Sequence, residues 1–338
     1  MPKEFNLSKH MQAARQHQAG GQLMIQQIEV PKPAKGEVLV KMLASPVNPS
    51  DLSLLSGTYA GKKHYPLTPG IEGSGIVVAS GGGILANMRL GKTVACSSSD
   101  KGGTWAEYMV TTATKVIPVS KKTSAQQAAM LIVNPITALS FIDIAKNGKH
   151  KAIVNTAAAS TLGQMLIKLC KQNDIELINI VRNKKHIEPL QKLGAKHIIC
   201  TSENNWSESL RTLALQTQAR LFFDAVAGAN TSQLANAAPK GSSIVVYANL
   251  SESDINIDPR ILMHNNITMK NFFLGNYTAE KSLIHNLIAA KKAQKLITQL
   301  PPNIVRKTYP LNDVNLAIEA YRTQMSGGKI LLTIQNTD

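Results

Sequence analysis

The chain has 338 residues, 43% of them hydrophobic, which suffices for two domains with real cores. A formal charge of +16 points to an anionic partner: nucleic acid, an anionic membrane surface or anionic small molecules. Lys and Arg are scattered along the chain and aromatics make up only 4%, too few for the stacking platforms that hold single strands, so an anionic cofactor is the simplest reading. Cys96, Cys170 and Cys200 are far apart and form no C-x-x-C, so neither a disulfide framework nor a cysteine zinc site is expected, and a reducing compartment, the cytoplasm, fits. No stretch of 18 apolar residues is present and the first twenty residues lack the apolar core of a secretory signal, so no membrane partner is expected.

Residues 11–130 read as short strands broken by Pro and Gly. Strands are expected over Glu37–Leu43, Ile76–Ala79, Gly91–Cys96 and Trp105–Val110, a compact β-domain. Ala152–Asn155 then forms an apolar run, followed by small residues and by Leu162–Cys170 with helical apolar spacing. That is strand, tight turn, helix, and a helix N-terminus with its unpaired N–H groups favours a phosphate. The glycine fingerprint G-x-G-x-x-G appears here as Ala158-x-Ser160-Thr161-Leu162-Gly163, with two glycines replaced, and an ordinary strand-to-helix turn would read the same way. Glu176–Arg182 reads as a second buried strand. An NAD site carries an acid about 20 residues past the turn; this chain has Arg182, Lys184 and Lys185 there, which suits a 2′-phosphate and favours NADPH. Alternation continues through helix 184–193, strand 197–201, helix 206–216, strand 221–226, helix 229–238 and strand 244–248, which predicts a doubly wound parallel sheet. A final strand, Lys329–Thr333, needs a partner, and the β-domain is its natural host.

Taken together, Gly36–Lys41, Val47–Asp51, Ser56–Tyr59, Pro69–Gly73, Gly103–Trp105, Asn134–Ala138, Ala158–Gly163, Leu193–Ala195 and Gly328–Leu331 resemble the medium-chain dehydrogenase/reductase superfamily, in particular its zinc-free reductases. The likeness runs from about residue 11 to the C-terminus and is nearest to the mitochondrial-type 2-enoyl thioester reductases, with the zeta-crystallin-type quinone reductases sharing fewer elements. It implies an α/β architecture: a Rossmann cofactor domain over 132–269, and a GroES-like, partly open β-barrel built from 1–131 and 270–338. The zinc alcohol dehydrogenases of this superfamily place a Cys in the segment matching Pro46–Asn48 and a His in that matching Gly70–Glu72; here Asn48 and Ile71 stand in those segments, so no metal is expected.

The resemblance also implies roles. Tyr59 matches the catalytic tyrosine of the enoyl reductases, a donor to the substrate carbonyl. Asn48 and Thr137 match contacts to the nicotinamide end; a turn-forming Asn and a helix-capping Thr are the plain alternatives. Ala158, Ser160, Thr161, Leu162 and Gly163 would cradle the pyrophosphate, with Thr161 standing where the superfamily usually has glycine. Arg182, Lys184 and Lys185 would take the 2′-phosphate, and Tyr247, Phe273 and Lys329 complete the expected cofactor contacts. The implied activity is NADPH-dependent hydride transfer to a 2-enoyl thioester or similar conjugated carbonyl, or to a quinone, by a homodimer paired through the edge of the cofactor sheet. A nucleotide- or RNA-binding protein without turnover is the reading from another class.

Overall fold

The computed structural model describes residues 7–59, 64–299 and 304–334. The chain divides into two compact units, one formed by Met1–Val133 with Ala290–Asp338, the other by Asn134–Ala289.

The second unit holds a six-stranded sheet in which every pairing is parallel. Its spatial order is His197–Cys200, Glu176–Val181, Ala152–Asn155, Leu221–Asp224, Ser243–Val246, Thr268–Asn271. In chain order that is third, second, first, fourth, fifth, sixth, the doubly wound arrangement whose order reverses between the first and fourth strands. The central strands Ala152–Asn155 and Leu221–Asp224 are buried at every position, as burial on both faces requires. The helix Thr161–Gln172 forms because Leu162, Met165, Leu166, Leu169 and Cys170 recur at helical spacing and are all buried. Ser160 starts it: its hydroxyl accepts the Gly163 N–H at 3.1 Å.

The sequence reading returns the chain to the β-domain at residue 270; in the structure the second unit runs to Ala289. Aromatic and ionic packing is the reason. Phe141 stacks on Phe223 at 3.9 Å and meets the Phe272 ring edge-on at 5.0 Å. The Tyr277 hydroxyl donates to Asp143, which also pairs with Lys281 at 3.3 Å. The expected strand 244–248 is shorter, Ser243–Val246, and a sixth strand, Thr268–Asn271, follows it. Phe273 lies beyond the strand, just before the helix Leu274–Ala279. The expected helix 184–193 divides into a 3-10 turn, Lys184–His186, and the helix Ile187–Lys192.

In the first unit a seven-stranded sheet runs Val305–Pro310, Lys329–Thr333, Glu37–Pro46, Glu72–Ser80, Thr93–Ser97, Val116–Pro118, and Tyr108–Thr112 pairs with Glu37–Pro46 off this path. Lys329–Thr333 lies antiparallel to Glu37–Pro46, with Leu331 opposite Pro46 and Thr333 opposite Ala44. A further N–H···O bond from Val47 to Ile330 (3.0 Å) carries the pairing on to the start of the next helix. A separate hairpin pairs His10–Arg15 with Met24–Glu29. Gly70 fits a tight approach: its φ is +96°, and a β-carbon there would lie 2.3 Å from Thr104 Oγ1 and 2.5 Å from the Trp105 ring.

Candidate functional site

Each unit carries a polar constellation. In the second unit it sits at the C-terminal ends of the first and fourth strands, where the sheet order reverses and open α/β sheets bind ligands. Asn155, Thr156 and Asp224 are fully buried there. Thr156 Oγ1 donates to Asp224 Oδ1 (2.8 Å) and accepts the Ala225 N–H (2.8 Å); Asp224 also accepts from Val226 N (2.9 Å) and Thr231 Oγ1 (2.5 Å). These bonds fix both strand ends. The Tyr247 hydroxyl donates to Asn155 Oδ1 at 3.3 Å, and its ring meets Phe141 edge-on. Burial raises the phenol's pKa, with the Asp224 charge adding to it.

The turn that follows fits a pyrophosphate. Ala158 is fully buried, and a β-carbon on Gly163 would fall 2.3 Å from the Ala158 carbonyl oxygen, so helix and turn touch through glycine alone. Thr161 is the first residue of a twelve-residue helix, and the opening N–H groups of a helix lack intrahelical acceptors. A half-exposed Thr is sterically tolerated there, which explains how this position does without glycine. Arg182, Lys184 and Lys185 are exposed beyond the second strand. Lys184 is engaged by Glu203 at 3.1 Å, while Asn183 Oδ1 accepts the Lys185 N–H and shapes the turn. Thr137 is buried in the second turn of the helix Val133–Asn147, too far along to cap it.

The first unit holds a buried network. Asn48, Asp51, Glu72 and Lys329 are all buried. Asn48 Nδ2 donates to Glu72 Oε1 at 3.0 Å, and the Lys329 ammonium donates to Asn48 Oδ1. Glu72 Oε2 accepts the N–H groups of Ile132 (3.0 Å) and Val133 (2.9 Å). Asp51 accepts from Asn48 N (2.8 Å) and Ile71 N (2.9 Å). Two carboxyls therefore share one ammonium in a low-dielectric site. Burial raises the pKa of both carboxyls, pushing Asp51 up to about 7, and lowers that of Lys329. The helix Pro49–Ser56 leads from this network to Gly57, whose φ of +81° ends it, and then to Tyr59. The Tyr59 N–H donates to Ser53 O at 2.9 Å. Its half-buried phenol is held protonated by burial and by the Asp51 charge.

Of the residues read from sequence, the structure thus joins Asn48 to Lys329, and sets Tyr247 beside the strand that leads into the Ala158–Gly163 turn. Asn48 and Lys329, read as cofactor contacts, are committed first to each other and to Glu72. Asp51, Glu72, Thr156 and Asp224 carried no role in the sequence reading. The available signal was an acid ending an apolar strand at Asp224, and two acids inside the motif segments at Asp51 and Glu72.

Two family models match the chain: the alcohol dehydrogenase GroES-like domain over residues 34–121 and the zinc-binding dehydrogenase domain over 161–289. The chain is 29% identical over 325 residues to a mitochondrial enoyl-[acyl-carrier-protein] reductase of Xenopus tropicalis, covering 92% of this chain and 91% of that one. The Homo sapiens enzyme of the same name is 27% identical over 309 residues, 88% and 81% of the two chains. A solved putative NADPH:quinone reductase from Mesorhizobium loti superposes with a TM-score of 0.89 at 28% identity, covering 97% of this chain and all of that one. Another, from Bacillus thuringiensis, gives 0.86 at 27% identity, with 96% and 99% covered.

The chain belongs to the medium-chain dehydrogenase/reductase superfamily.

Its residues do not fit the zinc that one of the matching models is named for. Asn48 presents an amide bonded to Glu72, and the buried Lys329 ammonium beside it opposes a dication. Among the described residues, no three of His, Cys, Asp or Glu come together as a metal-binding group.

Asp51 gives the first unit a pH signature. Its proton is held more tightly in the folded chain than in the unfolded one, where Asp titrates near about 3.9. This group's contribution is therefore full below about pH 4 and is lost as the pH rises through about 7. The slope reaches about 1.4 kcal/mol per pH unit at most. Urea denaturation across this range should show the slope in the wild type and its loss in Asp51→Asn. An unchanged slope in the variant would place the titrating proton elsewhere.

Proposed function

We propose that the chain is an NADPH-dependent reductase of activated carbon–carbon double bonds, with 2-enoyl thioesters as its substrate class. The observation that carries this reading is the glycine-tight turn before the helix Thr161–Gln172, followed by cations and no acid after the next strand. Enoyl reductase relatives aligned along most of the chain support it. The bound nucleotide would supply hydride to the β-carbon; the rest is the work of the chain's own side chains.

Ala158, Ser160, Thr161, Leu162 and Gly163 would hold the pyrophosphate through backbone N–H groups and the helix dipole. Arg182 and Lys185 would take the 2′-phosphate, and Lys184 would join them on leaving Glu203, a cheap exchange for an exposed ion pair. Thr137, Tyr247 and Phe273 are assigned to the nicotinamide end. One hydrogen of Asn48 Nδ2 and two of Lys329 Nζ remain uncommitted among the described residues, and these would serve the nicotinamide ribose. Tyr59 would hydrogen-bond the substrate carbonyl as negative charge grows there, then give that proton to the α-carbon and regain one from solvent water. Burial first, and then the Asp51 charge, suit it to this task by keeping the phenol protonated.

No zinc takes part in this reading. A quinone is the second reading, favoured by the likeness to the two putative NADPH:quinone reductase structures. We place the enzyme in the cytoplasm as a homodimer paired through the outer strand Thr268–Asn271, which ends the sheet with one unpaired edge. Sedimentation equilibrium should give twice the chain mass at micromolar concentration; a monomer would remove the dimer.

Arg182→Ala should weaken NADPH roughly 10- to 150-fold, the worth of one charge-assisted hydrogen bond, and leave NADH nearly unchanged. Equal losses measured by fluorescence titration would make Arg182 a structural residue. Tyr59→Phe should lower kcat on an enoyl thioester about a hundred- to thousandfold with NADPH affinity intact, and less on a quinone. Full kcat in that variant would reduce Tyr59 to a wall of the pocket.

A further inference from the structure

The helix Leu283–Thr298 presents two faces of different chemistry. Ala290, Ala293, Leu296 and Ile297 on one face are buried. The other face carries Leu283 (69% exposed), Ile284 (71%), Leu287 (56%) and Ile288 (50%). The same face continues with Lys291, Lys292 and Lys295, all exposed. These seven positions follow the spacing i, i+1, i+4, i+5, i+8, i+9, i+12, so they share one half of the helix circumference. At the usual rise the stripe is about 18 Å long, apolar at its N-terminal end and cationic at its C-terminal end. The helix contains no acidic residue to neutralise it.

Four neighbouring aliphatic side chains this exposed cost free energy in water unless something covers them. The adjoining exposed lysines favour an anionic cover over a neutral one. We propose that this face docks the protein on the surface of an anionic phospholipid bilayer.

Composition decides between a bilayer and an acidic protein. Protein interfaces concentrate their energy in Trp, Tyr and Arg and are depleted in Lys. This stripe has neither aromatic nor Arg, only branched aliphatics and lysines. A lipid surface asks for that combination: aliphatic chains that enter the acyl boundary, and ammonium groups on long stems that reach anionic headgroups. Lys also suits a mobile array of phosphates, which offers no fixed bidentate geometry for Arg to match. The sequence reading expected no membrane partner because nothing in the chain is long enough to span one. Docking by a helix face needs no spanning segment, and part of the +16 charge then acquires a use.

The test is cosedimentation of the purified full chain with large unilamellar vesicles of phosphatidylcholine, with and without phosphatidylserine. The wild type should sediment with the phosphatidylserine vesicles, and rising salt should release it. Replacing Lys291, Lys292 and Lys295 with Gln should lower the partition coefficient about a hundredfold, roughly fivefold per lysine. Leu287→Ser with Ile288→Ser should weaken binding further while leaving the circular dichroism melt unchanged, since both side chains are exposed. No sedimentation with either vesicle, or sedimentation indifferent to these substitutions, would overturn the proposal. It would also fall if a purified acidic acyl-carrier protein bound the stripe while vesicles did not. A fall in assembly mass in the Leu287→Ser, Ile288→Ser variant would assign the face to a second copy of the chain and overturn it as well.

Discussion

Lys329, Asn48, Glu72 and Asp51 form the interaction on which the first unit depends. Burying an ion costs several kcal/mol, and each ion here is matched by a bond to a neighbour. The ammonium is held by Asn48, one Glu72 oxygen by the same amide, the other by two backbone N–H groups, and both Asp51 oxygens by backbone. Four segments distant in sequence meet in one place: the start of the helix Pro49–Ser56, the start of the strand Glu72–Ser80, residues 132–133 and the last strand. Removing one partner leaves an unmatched charge in a dry site, a loss of about 3–5 kcal/mol. Burial, and to a smaller extent the charge of the second carboxyl, Glu72, push Asp51 up to about 7.

Rigidity of this kind suits the donor role proposed for Tyr59. Tyr59 lies three residues past the helix whose first turn the network fixes, and its backbone is bonded to that helix through Ser53. The second unit solves the corresponding problem around a single carboxyl with neutral partners. Asp224 gathers two hydroxyls and a backbone N–H, so the strand ends at the point of order reversal are set before any ligand arrives. In each unit a fully buried acid, bonded on several sides, prepares a more exposed surface for chemistry.

The departures from the glycine fingerprint follow the same logic. Only the position where backbone touches backbone, Gly163, cannot bear a side chain. Ala158 and Ser160 replace the other two fingerprint glycines, Ser160 adding a cap, and Thr161 stands at the helix opening where the superfamily usually has glycine. The chain thus keeps the contact that matters for helix–strand packing and changes those where the backbone has room.

Periodicity and local chemistry were enough, from sequence alone, for the parallel sheet, its helix after Ala158–Gly163, the cations after the second strand and the limits of the strand Lys329–Thr333. These are properties of consecutive residues, since burial patterns and turn residues repeat within a short window. The family likeness added an expected role for Tyr59 and the expectation of no zinc. Tertiary structure alone decided the rest. That Lys329 meets Asn48, that Glu203 occupies Lys184, and that Phe272 and Tyr277 hold the chain in the second unit until Ala289 are all contacts between residues far apart in sequence. No local pattern encodes them, because the partners are chosen by how strands pair and helices pack. The exposed stripe on the helix Leu283–Thr298 shows the limit most plainly. Apolar residues at helical spacing read as a buried face, and only packing determines which side of a helix is covered.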